Sequence, residues 1–249
     1  MSDIRDFQTR TVNPAVGRTD AAIDQGLRSY MLKVYNLMAL GVALTGLVAY
    51  AFAEMAFSAP GVPTAFGQAV YGSPLKWVIL FAPLALVFFL SFRIDKISAF
   101  TAQLTFWAYA ALVGASLSSI FLVYTDASIV KTFAVTAASF AALSLYGYTT
   151  KRDLSAMGSF LVMGLFGLII ASVVNIFLKS SALDFALSII GVLIFAGLTA
   201  WDTQKIKEMY AEADGFEVMS KKAIMGALAL YMDFINLFLF LLRFMGNRE

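Results

Sequence analysis

Long apolar runs broken by short polar or Gly/Pro-rich segments set the pattern of this chain. A helix needs about 20 apolar residues to cross the hydrocarbon core of a bilayer. Seven runs come close to or exceed that length: residues 32–57, 77–92, 97–124, 129–149, 156–178, 183–201 and 223–242. The first gives way to the loop "SAPGVPTAFGQAVYGSP", the second closes on "RIDK" and the fourth on "KRD". The second run is short and contains Pro83, and the third is longer than a span requires, so it should tilt or protrude. The pattern predicts an all-α integral membrane protein with seven transmembrane helices. Residues 1–29 mix charges of both signs and lack the apolar core of a signal peptide. They are expected to form a polar cytoplasmic tail ahead of a transmembrane domain spanning 30–249.

Composition agrees with this pattern. The 249 residues are 60% hydrophobic and 14% charged, with a mean hydropathy of +0.80. A soluble domain has about 45–50% apolar and about 25% charged residues, so a water-facing surface could not easily be built here. The net charge of +2 and the lack of a basic, aromatic-studded patch argue against nucleic acid as a partner. Basic residues decide the expected orientation. An amino terminus on the cytoplasmic side leaves only Lys76, Lys131, Lys179, Arg243 and Arg248, of 18 basic residues, on the other side with the carboxyl terminus.

Cysteine and histidine are both absent. Thiolate chemistry, disulfides, His-based zinc sites and a His-activated serine nucleophile are therefore excluded. Residues 223–242 contain no lysine for a retinal Schiff base, and no Walker-type phosphate loop is present. An enzyme is not expected. Proton-coupled transport is a weaker alternative, because Pro83 is the only sign of a broken helix.

Few ionisable groups fall at membrane depth: Glu54, Asp202 and Asp233, with Arg93 at the end of the second run. Asp233 lies about 16 Å along a helix axis from Lys222, whereas Asp202 lies only about 5 Å from Lys205. The residues Asn236 and Phe240, at i+3 and i+7, put Asn236 on one stripe with Asp233. That stripe should face the bundle interior, where Asn236 or another carboxyl could satisfy Asp233. If the last two helices bring Asp202 to Asp233, two carboxylates in a dry bundle cannot both ionise cheaply and share a proton. Such a pair holds its helices together while protonated and separates them when both sites ionise. A basic group such as Arg93 could latch a closed form by pairing with one carboxylate.

Plainer readings stand beside this one. Asp202 could form an interfacial ion pair with Lys205, and Asp233 a structural hydrogen bond to neighbouring backbone. Arg93 could be a positive-side anchor, and Glu54 could reach to the interface. The two aspartates meet only if the sixth helix continues past Lys205 or the seventh starts before Lys222.

The blocks "WDTQKI" at 201–206 and "YMDFINLFLFLLRFMG" at 231–246 resemble the Bax inhibitor family, proteins with a transmembrane BAX inhibitor motif. The second block is close to the family signature; the first has Trp201 where Tyr or Phe is usual. The resemblance implies a seven-helix fold in a bacterial inner membrane, with the last helix central in the bundle. It implies a pH-sensitive calcium leak sensed by two aspartates, matching Asp202 and Asp233, with calcium as transported ion near that pair and no cofactor. A latch arginine would correspond, by position, to Arg93. The resemblance also implies an alternative, an interaction protein that restrains an ATP-dependent membrane protease, for which residues 1–29 would be the handle.

Overall fold

The computed structural model describes residues 14–59 and 62–247. Among the described residues the protein is all-α but for one short hairpin, and seven of its helices are long and apolar enough to cross a membrane. In order the elements are α1 (Pro14–Ala56), a two-residue-paired hairpin β1 (Phe57–Ala59) and β2 (Val62–Pro63), the short α2 (Ala65–Tyr71), α3 (Leu75–Arg93), α4 (Ala99–Leu117), α5 (Asp126–Thr149), α6 (Ser155–Leu178), α7 (Ser181–Glu208) and α8 (Phe216–Met245). All but α2 carry a span, so α7 and α8 are the sixth and seventh crossings.

The differences from the sequence expectations have local causes. Of the segment expected as a tail, residues 1–13 lie outside the described residues and 14–29 continue α1. The boundary at 29/30 therefore falls inside a helix: polarity ends the span there, but helix-compatible residues such as "DAAIDQ" do not end the helix. The Gly/Pro loop after α1 contains α2, whose N-cap Thr64 accepts through Oγ1 from the Gly67 amide at 3.1 Å. The overlong third run is divided: α4 tightens into a 3₁₀ turn over Ser118–Leu122. Thr125 then caps α5, accepting through Oγ1 from the Ser128 amide, which is how the "TDA" break ends one crossing and starts the next.

The last helix is the central one. α8 packs against α1, α4, α5 and α7, while α3 rests on α4 and α6 on α7. Within the most apolar stretch of each span, 56% of α8 is buried, against 6% for α3 and for α6. The outward faces of α3 and α6 carry Phe92, Phe160, Met163 and Phe177, all strongly exposed, as lipid contact requires.

Lipid tails are as apolar as leucine, so close packing and hydrogen bonds, not hydrophobic burial, hold such helices together. Tyr231 of α8 is fully buried and meets Phe106 and Tyr109 of α4 edge-on, at centroid distances of 5.9 and 5.5 Å. Its hydroxyl lies 2.6 Å from Thr45 Oγ1 of α1, and Thr45 Oγ1 in turn reaches the Ala110 carbonyl of α4 at 2.9 Å. One side chain thus ties three helices. Each aromatic pair of this kind contributes about 0.5–1.5 kcal/mol beyond its area.

Two contacts fix α7 against its neighbours. At Gly147 the α5 backbone comes so near α7 that an added Cβ would stand 2.1 Å from the Ala200 carbonyl oxygen. At the end of the same interface the buried Gln204 side chain accepts from the Leu154 amide and donates to the Arg152 carbonyl, both at 2.8 Å. It thereby clamps the α5–α6 turn. Asp153 in that turn accepts from the Ser155 amide at 2.8 Å. The Ser155 hydroxyl, followed by this amide, holds the exposed Asp153 carboxyl below its ordinary value. That small contribution is present at neutral pH and is lost as pH falls below the usual carboxylate range.

Two stability measurements follow from this packing. Gly147→Ala should lower the thermal midpoint of the purified protein in detergent, costing about 1–3 kcal/mol through forced separation of α5 and α7. Gly167→Ala, where an added Cβ meets nothing within 4 Å, should leave the midpoint unchanged. Gln204→Leu should release the α5–α6 turn and accelerate trypsin cleavage at Lys151 and Arg152, with loss of two hydrogen bonds of about 1 kcal/mol each.

Candidate functional site

α7 runs to Glu208 and α8 begins at Phe216. Both conditions for the aspartates to meet are therefore satisfied. The charged stretch between them is mostly helix, and only residues 209–215 form the turn. Lys222 Nζ closes it by donating to the Met209 carbonyl at 2.9 Å and to Asp214 Oδ2 at 2.5 Å. Glu217 Oε1 accepts from the Ala99 amide at the start of α4, at 2.6 Å, and Lys33 Nζ of α1 donates to Ser220 Oγ at 2.8 Å. These contacts anchor the first turns of α8 to α1 and α4.

With that depth fixed, the Asp202 and Asp233 carboxyls face each other within hydrogen-bonding reach. Asp233 is buried, 4% exposed, and its Oδ2 has no hydrogen-bond partner among the described residues. Asp202 is half-buried on α7. The cation acting on it is Lys205, whose Nζ also sits 5.0 Å from the centre of the Trp201 ring. Lys205 acts on Asp202 through space, but among the described residues no ion pair joins the two. Trp201 itself lies over Gly158 of α6, where an added Cβ would come within 2.2 Å of its ring. The aromatic side chain before Asp202 thus positions that residue by seating α7 on α6.

Two expected members of the site stand apart from it. Asn236 does not bond to Asp233; its Nδ2 donates to the Met232 carbonyl at 2.8 Å. It lines a cavity of about 360 Å³ with Tyr124, Phe240 and Arg243 towards the carboxyl end of α8. A rise of one helical turn, about 5 Å, separates Asn236 from Asp233, so shared stripe and shared bond are different things. The helix geometry satisfies the amide locally first. Arg93 is exposed at the end of α3, and among the described residues no ion pair includes it. Its helix packs on α4 and not closely on α7 or α8, so in this arrangement it does not reach the pair. Glu54 is exposed near the end of α1.

Sequence reasoning did not single out a hydroxyl chain beside the pair. Tyr35 OH of α1 lies 2.6 Å from Ser144 Oγ of α5, which lies 2.9 Å from Thr203 Oγ1 of α7. Thr203, next to Asp202, donates to the Thr199 carbonyl at 2.8 Å. The one available signal was the placement of Ser144 within an apolar run and of Thr203 just after one, and such residues are common in helix interfaces. Among the described residues no group of three or more acidic side chains stands together to hold a metal ion. The pair offers two carboxyls, suited to a proton or to a cation in passage.

Comparison with known proteins shows the family. Residues 27–249 match the family described as "Inhibitor of apoptosis-promoting Bax1". The chain is 54% identical to an uncharacterised protein of Rickettsia prowazekii over 91% of this chain and 92% of that one. It is 49% identical to the inner membrane protein YbhL of Escherichia coli K12, over 93% and 98% of the two chains. It is 47% identical over the full length of both chains to an uncharacterised protein of Caulobacter vibrioides. With seven membrane-spanning helices, α8 the central one, and a match covering nearly all of them, the chain belongs to the Bax inhibitor family.

Proposed function

We propose that this protein is a pH-sensitive calcium leak of a bacterial inner membrane, gated by Asp202 and Asp233. The observation that carries the reading is the meeting of these two carboxyls inside the bundle, with one buried oxygen of Asp233 unpartnered among the described residues. The cavity of about 360 Å³ that ends near Asn236 supports it, since it approaches Asp233 from the carboxyl-terminal end of α8. The location rests on the bacterial relatives, of which the one from Escherichia coli is named an inner membrane protein.

The chemistry follows from charge in a dry site. Two facing carboxyls with one proton between them form a strong charge-assisted bond, carrying a single negative charge in place of two, that holds α7 to α8. Loss of that proton leaves two like charges in contact, which repel each other and attract a divalent cation and water. Opening is therefore coupled to the pair's proton without any histidine. In this arrangement the shared proton is the closing contact, so flux should rise as the pair loses it with increasing pH. Flux that rises on acidification would instead assign the closed state to an arrangement in which Arg93 moves on to an ionised carboxylate.

The test is calcium entry into dye-loaded liposomes that contain only this protein, followed across pH. Wild type should leak with a clear pH dependence. Asp233→Asn should flatten that dependence, and the Asp202→Asn/Asp233→Asn double variant should lower flux at least about tenfold, equivalent to about 1.4 kcal/mol of barrier. Absence of flux from folded wild type would overturn the leak and favour the protease-modulating alternative, which would then require residues 1–29.

A further inference from the structure

α1 and α5 both pack on α8 but not closely on each other. Between them the surface opens into a groove of about 760 Å³, within the range of about 300–1,000 Å³ usual for small-ligand pockets. Its floor is Phe234 of α8. Its walls are Met31, Leu32 and Met38 on one side and Phe133, Phe140 and Ala141 on the other. The lining extends from Arg28 to Ala43 on α1 and from Phe133 to Tyr148 on α5. At 1.5 Å per residue that is about 22 Å along each helix. One leaflet contributes about 15 Å of the hydrocarbon core, so the groove exceeds the depth of a single acyl layer.

The chemistry changes along the groove. Most of its length is hydrocarbon and aromatic surface. One end, at the amino-terminal side of the first span, is polar and cationic. Tyr35, Ser144, Tyr148 and Arg28 line it there. Arg28 is exposed, and among the described residues no ion pair includes it. Lys207 borders the same end, donating to the Tyr148 carbonyl at 2.9 Å and lying 5.3 Å from the Tyr148 ring centre. A guanidinium offers paired N–H donors that fit a phosphate diester. An apolar trough with two cations at one end is thus the complement of an amphiphile with an anionic head.

We propose that the groove between α1 and α5 is a binding site for an anionic glycerophospholipid. Its phosphate sits on Arg28, and one acyl chain lies along Phe140 and Phe133. The lipid enters sideways from the leaflet on the amino-terminal side of the first span. The site is independent of the leak reading, because its ligand is recognised by Arg28 and the groove walls and not by Asp202 or Asp233. The bound chain covers the Tyr35–Ser144 contact, so occupancy borders the hydroxyl chain that leads to Thr203.

Native mass spectrometry of the full chain in detergent tests the site, with phosphatidylglycerol and phosphatidylcholine of identical acyl chains supplied in equal amounts. Wild type should retain one phosphatidylglycerol in preference to phosphatidylcholine by about tenfold, or about 1.4 kcal/mol, because both carry the phosphate diester but the choline cation is repelled by Arg28 and Lys207. Arg28→Gln should bring that preference to parity. Ala141→Trp, which fills the trough from an exposed position on α5, should remove retention of both lipids; Ala39→Trp does the same from α1 should the first variant fail to fold. Glycerol phosphate without acyl chains should not compete. Equal retention of the two lipids by wild type, unchanged retention in the folded tryptophan variants, displacement by glycerol phosphate, or a second copy of the chain in place of lipid would each overturn the proposal.

Discussion

A carboxyl group surrounded by lipid has no water to turn to, and an unsatisfied charge there costs several kcal/mol. Asp233 meets that constraint by facing another acid. Its burial on the most enclosed helix and its approach to Asp202 make α7 and α8 a coupled unit. The surrounding structure holds that unit at one depth. Contacts of Glu217 with Ala99, Lys33 with Ser220 and Lys222 with the 209–215 turn set where α8 starts. The Trp201 ring over Gly158 and the Gln204 clamp on the α5–α6 turn set where α7 lies.

The same interior serves two different purposes around α8. Towards α1 and α4 it is fixed by aromatic edges and the Tyr231–Thr45 hydrogen bond. Towards α5 it is packed by the edges of Phe133 and Phe140 against Phe234, while α1 and α5, which do not pack closely on each other, leave a groove whose base is the buried Phe234. A bundle held by packing and hydrogen bonds rather than by hydrophobic burial can leave such a gap, because lipid fills it at little cost. The packed helices around α8 position the acid pair, and the groove between α1 and α5 is the proposed seat of a bilayer component.

Much of this was legible in the sequence, and the losses have physical reasons. Seven spans followed from run length alone, since lipid demands about 20 apolar residues for each crossing. Asp202 and Asp233 stood out because ionisable groups at membrane depth are rare. Their common depth was not legible: it depends on α7 and α8 continuing as charged helix beyond the apolar runs, which hydropathy cannot register. Asn236 shares a helix face with Asp233 by periodicity, yet its amide finds the Met232 carbonyl nearer. Arg93 lies at the end of its run as expected, but α3 packs against α4 and α2 and not closely on α7 or α8, which keeps it from the pair. Gln204 and Ser144 could not be told from ordinary polar residues, because their significance lies in partners 50 or more positions away.

The central claim is that Asp202 and Asp233 titrate as one unit around a shared proton. Infrared difference spectroscopy of the reconstituted full chain, between acid and alkaline pH, reads protonated carboxyl groups directly. The account predicts a buried carboxylic-acid signal that is lost in two separate steps as pH rises in wild type, and in a single step in both Asp202→Asn and Asp233→Asn. Two separate steps retained in either variant, or no buried carboxylic-acid band in wild type, would contradict the account.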